Sequence, residues 1–263
     1  MCNKTIIKIK SIFVLTSVYL TYLISGIFFI IFFPAWHLVS FKPSMRTFMN
    51  DVICRWFLSF LTKIIGPLFG AYRIVEQSGF DSADNKRPLI IVSNHRSMFD
   101  GIMLISILKK TGVLMKAGYA KLPVFSSLVK YSGFISVDSR SLESLSYAKN
   151  RCIELLSNGY NLLIFPEGTR SRSAKMQSFK DLAFRLSIDT KLPVLPVIMH
   201  TDFPLLAKIP NSLFPPRMKI TLRSLDPAYA QEGEKPSEFA ERVRKIMAEE
   251  VRNLDKGTVW ETL

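Results

Sequence analysis

Leu89-Ile90-Ile91-Val92-Ser93-Asn94-His95-Arg96-Ser97-Met98-Phe99-Asp100 is the stretch on which the fold turns. It opens on four apolar residues, three of them β-branched, and an unbroken run of that length reads as a strand buried on both faces. Met98–Leu108 then takes up helical spacing, so the polar residues fall in a strand-to-helix turn. The same alternation recurs on the C-terminal side. Val113–Lys116 reads as a strand, Val124–Val129 as a short helix, Phe134–Val137 as a strand and Leu142–Leu156 as a helix. Leu162–Phe165 follows as a strand, Phe179–Ile188 as a helix, Val194–Met199 as a strand and Met218–Leu222 as a further strand candidate. A helix begins at Ser237, with Phe239, Val243, Ile246, Met247 and Leu254 on one side. Strands alternating with helices of this length predict an α/β fold, layered, with a mostly parallel sheet flanked by helices. In such sheets ligands gather beyond the carboxyl ends of the strands.

The 263 residues are 48% hydrophobic and carry a formal charge of +14. That pairing excludes a disordered chain, in which high charge goes with low hydrophobicity. Cys2, Cys54 and Cys152 are too few and too scattered for a disulfide framework or a zinc cluster. A basic excess beside a long apolar stretch points to anionic lipid headgroups or phosphate-bearing substrates. A non-catalytic lipid- or nucleic-acid-binding protein is compatible with the charge, but no nucleic-acid-binding motif or aromatic–basic alternation supports it.

That apolar stretch lies near the N-terminus. No Asp, Glu, Lys or Arg occurs from Ser11 to Phe41. Ile12–Phe33, as a helix at ~1.5 Å per residue, reaches roughly 33 Å, enough for a hydrocarbon core of ~30 Å. The run is too long for the apolar core of a signal peptide despite the basic Lys4, Lys8 and Lys10, so a retained membrane helix is expected. A re-entrant hairpin bent near Ser25-Gly26 is the alternative to a span, and flanking positive charges on both sides leave its orientation open. Met45–Ile65 follows as an amphipathic helix with Trp56, Phe57, Phe60 and Leu61 on its apolar stripe, ended by Gly66-Pro67. Packing on the domain core and lying in the headgroups are equally open to it. The expected division is therefore residues 1–66, membrane anchor and amphipathic helix, and residues 67–263, catalytic domain.

Two polar clusters bear chemistry. His95 and Asp100 are five apart, about 500° around a continuous helix, which would put them on nearly opposite faces. They meet only if His95 sits in the turn and Asp100 in the first turns of the helix. Asp100 could then fix the imidazole tautomer and leave the other nitrogen as a base. With no protein nucleophile nearby in sequence, the nucleophile would be a substrate hydroxyl. The second cluster, Phe165-Pro166-Glu167-Gly168-Thr169-Arg170-Ser171, closes a strand. Gly168 permits positive φ or close backbone approach, Glu167 could accept from a hydroxyl, and Arg170 could hold a phosphate with two hydrogen bonds.

Four ordered blocks carry a resemblance. Asn94-His95 with Asp100, Gly133-Phe134-Ile135-Ser136-Val137-Asp138, Phe165–Ser171 and Val194-Leu195-Pro196-Val197 resemble, in order and spacing, the glycerolipid acyltransferases, in particular the bacterial 1-acylglycerol-3-phosphate (lysophosphatidic acid) acyltransferases. The match spans roughly residues 70–225. It implies that His95 is the general base and Asp100 its orienting carboxylate, with donors near the helix start stabilising the tetrahedral oxyanion. Glu167, Gly168, Thr169 and Arg170 would form the glycerol-phosphate site, and Lys116 is similar to the family's basic residue in that region. It implies further that the lysolipid's hydroxyl attacks the thioester of acyl-CoA or acyl-carrier protein, giving phosphatidic acid, with no metal and no organic cofactor. By the same resemblance, the enzyme would sit in the bacterial inner (cytoplasmic) membrane with a cytoplasmic active site. The chain departs from the family in three places. Arg140 stands one position later than the family's arginine, which would turn it to the other face of a continued strand and weaken its claim as a phosphate ligand. Phe179-Lys180-Asp181-Leu182 lacks the family's glycine, and Arg96 replaces the more usual Gln or Thr. Another lyso-lipid acceptor (lyso-ornithine lipid, glycolipid or lysophospholipid) and an acyl thioester or lipid hydrolase remain alternatives. His200 is expected to be a structural histidine.

Overall fold

The computed structural model describes residues 72–80, 87–97, 99–122, 133–171, 173–203 and 218–262, with residue 126 and scattered positions between 9 and 63. Seven strands form one sheet. They are β1 (Tyr72–Ser78), β2 (Ile90–Ser93), β3 (Thr111–Lys116), β4 (Ile135–Val137), β5 (Asn161–Ile164), β6 (Val194–Thr201) and β7 (Met218–Ser224). The helices are α1 (Phe99–Ile107), α2 (Ala117–Ala120), α3 (Leu142–Ser157), α4 (Leu182–Thr190) and α5 (Pro236–Asp255), followed by a 3-10 turn at Val259–Thr262.

The strand order is β1-β7-β6-β2-β5-β3-β4. From β6 to β4 every neighbouring pair is parallel, while β7 runs antiparallel to β6 and takes β1 alongside it in parallel. The layered, mostly parallel α/β expectation therefore holds. Its physical basis is visible in β2, all four of whose residues are buried. Ile91 packs with Met103 and Leu104 of α1 on one face, and Ile90 and Val92 pack with Phe184, Phe239 and Val243 of α4 and α5 on the other. Both faces of the strand are covered, so the sequence shows a continuous apolar run and not an alternating one.

Several boundaries differ from the sequence expectation. β1 was not anticipated, because it is an edge strand whose buried and exposed residues alternate. The expected helix from Phe179 starts instead at Leu182. The preceding backbone is occupied elsewhere, with the Gln177 N–H donating to Glu167 and the Lys180 N–H to the Pro166 carbonyl. The segment Val124–Val129 lies outside the described residues except for Ser126, whose N–H donates to the Leu122 carbonyl.

Most of Ile12–Phe33 also lies outside the described residues. Among the described residues no helix is long and apolar enough to cross a membrane. The described positions between 9 and 38 are helical, and Ile12, Leu23, Ile24 and Ile31 among them are exposed. In the second expected element, Trp56 and Phe60 are helical, exposed and stacked on each other. Leu58 packs toward the core, and the Tyr72 hydroxyl donates to the Thr62 carbonyl, tying this segment to β1.

Candidate active site

Strand register brings the motifs together. Val92 pairs with Ile164, so three residues further on His95 stands beside Glu167. Val113 pairs with Leu163, which puts Lys116 level with Pro166 on the other side of β5. Lys116 pairs in turn with Val137, beyond which Arg140 lies. The predicted residues thus sit at the carboxyl ends of four neighbouring strands, in the order β2, β5, β3, β4.

His95 lies in the turn and Asp100 is the second residue of α1, the arrangement their spacing demanded. The imidazole Nδ1 is 3.0 Å from Asp100 Oδ2. An ionised carboxylate only accepts, so Nδ1 carries the proton and Nε2 keeps its lone pair. Among the described residues nothing bonds to Nε2, and the His95 side chain is 21% exposed against 2% for Asp100. Phe165 stacks on the ring with centroids 4.2 Å apart, fixing its plane. Asp100 Oδ2 also accepts the backbone N–H groups of Arg96 and Ser97, each at 2.8 Å. The Ser97 hydroxyl accepts the Phe99 N–H at 3.0 Å. The Asp100 side chain reaching back to the Ser97 N–H is one half of a capping box, while the Ser97 hydroxyl caps Phe99. One carboxylate both closes the helix start and orients the imidazole.

Of the N–H groups near the helix start, those of Arg96, Ser97 and Phe99 are engaged by Asp100 and Ser97.

Asn94 and Arg96, on either side of His95, are both buried. Asn94 Nδ2 donates to the Met199 carbonyl and its Oδ1 accepts the Met199 N–H, both at 2.9 Å, extending the β2–β6 pairing by one side chain. The Arg96 guanidinium forks onto both oxygens of Asp255 at 2.7 Å, donates to the Ala174 carbonyl at 2.6 Å and lies over the Trp260 ring at 4.3 Å. His200 Nε2 is 3.0 Å from Asp255 Oδ1, a buried and satisfied structural histidine as expected. Burial pushes the Asp255 carboxyl up, but hydrogen bonds from Arg96 and His200 outweigh it and hold the group below the usual carboxylate range.

Glu167 differs most from its predicted role. It is 5% exposed, and its carboxylate accepts the His95 N–H at 2.9 Å, the Ser171 hydroxyl at 2.6 Å and the Gln177 N–H at 3.0 Å. Ser171 also donates its N–H to the His95 carbonyl at 2.7 Å. The carboxylate expected to meet a substrate hydroxyl meets a protein hydroxyl and joins the two motif loops. Gly168 has φ +66°, and a Cβ there would lie 2.9 Å from the Lys180 side chain, so glycine suits both conformation and space. Thr169 and Arg170 are half-buried on the same turn, and Lys116 is exposed. Arg140 is not brought to the others. β4 ends at Val137, and Arg140 sits in the following turn with its side chain 89% exposed, paired with Asp138. At about 4.8 Å per strand it is roughly 14 Å from the His95 strand.

Ser171, Gln177, Phe165 and Asp255 were missed as functional residues by sequence reasoning. The first three lie in or next to the quoted Phe165–Ser171 block, but Asp255 carries no local signal 159 positions from Arg96. Burial pushes the Cys152 thiol up to about 12, which removes it as a nucleophile. Among the described residues no group of three or more His, Cys, Asp or Glu could hold a metal ion.

Residues 74–200 match the family model described as Acyltransferase. These residues resemble an acyltransferase domain. The chain as a whole resembles the glycerolipid acyltransferases. It is 28% identical over 178 residues to the chloroplastic 1-acyl-sn-glycerol-3-phosphate acyltransferase LPAT1 of Arabidopsis thaliana, covering 67% of this chain and 48% of that protein. It is 27% identical over 124 residues to the 1-acyl-sn-glycerol-3-phosphate acyltransferase of Borreliella burgdorferi, covering 47% of this chain and 50% of that one. The chain spans about half the length of these curated relatives. The crystal structure of the 1-acyl-sn-glycerophosphate (LPA) acyltransferase PlsC from Thermotoga maritima shares the fold, with TM-score 0.70 and 23% identity over 95% of this chain and 98% of that one.

Proposed function

We propose that the protein transfers a fatty acyl group from acyl-CoA or acyl-carrier protein to the free hydroxyl of 1-acylglycerol-3-phosphate, giving phosphatidic acid at a membrane surface. The observation that carries this reading is the partly exposed His95 imidazole, with Nδ1 on Asp100 and Nε2 open, beside the Gly168–Arg170 turn. Nε2 takes the hydroxyl proton as the oxygen attacks the thioester carbonyl. The carbon–sulfur bond then breaks, and the imidazolium returns the proton to the departing thiolate. A positioned base of this kind contributes ~10²–10⁴-fold.

In the acceptor the phosphate is carried on the carbon next to the reacting alcohol. The loop that follows the strand next to β2 bears Arg170, and the next strand out ends on Lys116, so these two cations suit that short span better than Arg140. The relatives' names, 1-acyl-sn-glycerol-3-phosphate acyltransferase, favour the same acceptor. The reading needs no metal ion or organic cofactor.

Residues 1–66 would hold residues 67–263 at the cytoplasmic face of a bacterial inner membrane. The exposed apolar helical positions Ile12, Leu23, Ile24 and Ile31 and the exposed Trp56–Phe60 pair support that placement. The test is incubation of the purified protein with labelled acyl-CoA or acyl-carrier protein and a panel of lyso-lipids. Phosphatidic acid as the main product is expected. A product only with lyso-ornithine lipid, a glycolipid or another lysophospholipid would move the acceptor, and acyl release without any acceptor would make the protein a hydrolase.

A further inference from the structure

The His95 loop is fastened on both sides. Asn94 fixes one side to β6, which is an extension of the sheet itself. The other side depends on a contact with no counterpart in the motifs. Arg96 donates its backbone N–H to the Asp100 oxygen that holds the imidazole, and its guanidinium is buried against Asp255, the last residue of α5. Asp255 is held in its turn by His200, near the end of β6. Trp260 covers the guanidinium and donates its indole N–H to the Thr201 carbonyl at 2.7 Å. The carboxylate thus draws together β6, α5 and the turn that carries the base.

We propose that Asp255 is a positioning residue for acyl transfer, acting through Arg96 to hold the His95–Asp100 pair in register. A buried guanidinium deprived of its carboxylate is driven toward water, and with Trp260 and the Ala174 carbonyl packed around it the turn that carries its backbone N–H to Asp100 shifts with it. The imidazole would then lose orientation while the cations and surfaces that bind substrate stay in place. Small misplacements of a reacting group cost up to about 10²-fold in rate.

This inference rests on His95 being the base, and the experiment separates the two. Asp255→Asn, Arg96→Gln and the double variant are assayed for acyl transfer, with rates normalised to the folded fraction from thermal melts, alongside His95→Ala. Each single change is expected to lower kcat about 10–100-fold with donor and acceptor KM within about twofold. The double variant should lose no more than the worse single, because both changes break one chain of contacts. Where a single variant does not fold, the double variant, with neither buried charge, gives the reading. A kcat in Asp255→Asn or the double variant within threefold of the parent overturns the proposal, as do losses that multiply or a rise in KM that accounts for the effect. If His95→Ala retains transfer, the base assignment fails and this inference with it. If His95→Ala is inactive while Asp255→Asn keeps its kcat, only the role of Asp255 falls.

Discussion

The turns after β2 and after β4 both lie at the carboxyl ends of their strands, both inside family-like blocks and both bearing a cation. After β2, Asn94, Arg96 and Asp100 are buried and each is hydrogen-bonded to a partner, so His95 has little freedom. After β4, Arg140 folds back on Asp138, and its backbone and side-chain hydrogen bonds hold that carboxyl below the ordinary range. Sequence motifs place a residue at a strand end. Only the surrounding packing turns that place into a fixed position.

Replacing His95 with Ala would break this contrast most severely. Transfer should fall by ~10²–10⁴-fold with an unchanged melting temperature, since a partly exposed ring is removed from a loop whose anchors remain. Glu167→Ala comes next, because it strands the His95 and Gln177 N–H groups and the Ser171 hydroxyl. It should cost about 3 kcal/mol or more, seen as a lower melting temperature together with a lower kcat. Arg170→Ala sharpens the distinction between holding and reacting. Acceptor KM should rise about tenfold or more while kcat stays near the parent value, because a charge-assisted contact is lost in ground and transition state alike.

A smaller effect follows from the lowered pKa of Asp255. A group whose folded pKa lies below its unfolded value stabilises above the unfolded pKa and loses that contribution as pH falls through the folded one. The parent should therefore lose stability below about pH 4, and Asp255→Asn should lack that part of the acid dependence in melts across pH. Arg140→Ala should do least. Stability should change by no more than about 0.5 kcal/mol and acceptor KM should stay unchanged, and a raised KM would place that turn in the phosphate site after all.

Much of the layout was legible because local patterns sufficed for it. Ile90–Val92 and Leu162–Ile164 are apolar runs buried on both faces, and His95 and Asp100 could meet only across a turn into a helix. β1 was hidden because its alternation, with Arg73, Val75 and Gln77 outward and Tyr72 inward, resembles any half-exposed segment until β7 pairs with it. The role of Glu167 was misjudged for a different reason. Its chemistry suits a substrate contact equally well, and only the fold of residues 171–180 around it reveals that its oxygens are used within the protein. Asp255 was invisible because its importance comes wholly from a contact across the fold.

The shared carboxylate oxygen of Asp100 makes one amide pair a reporter. If the first turn of α1 frays, the Arg96 and Ser97 protons are freed at the moment the imidazole loses its guide. Protection from deuterium uptake at those two positions should therefore track, in unliganded protein, the fraction of molecules ready to react.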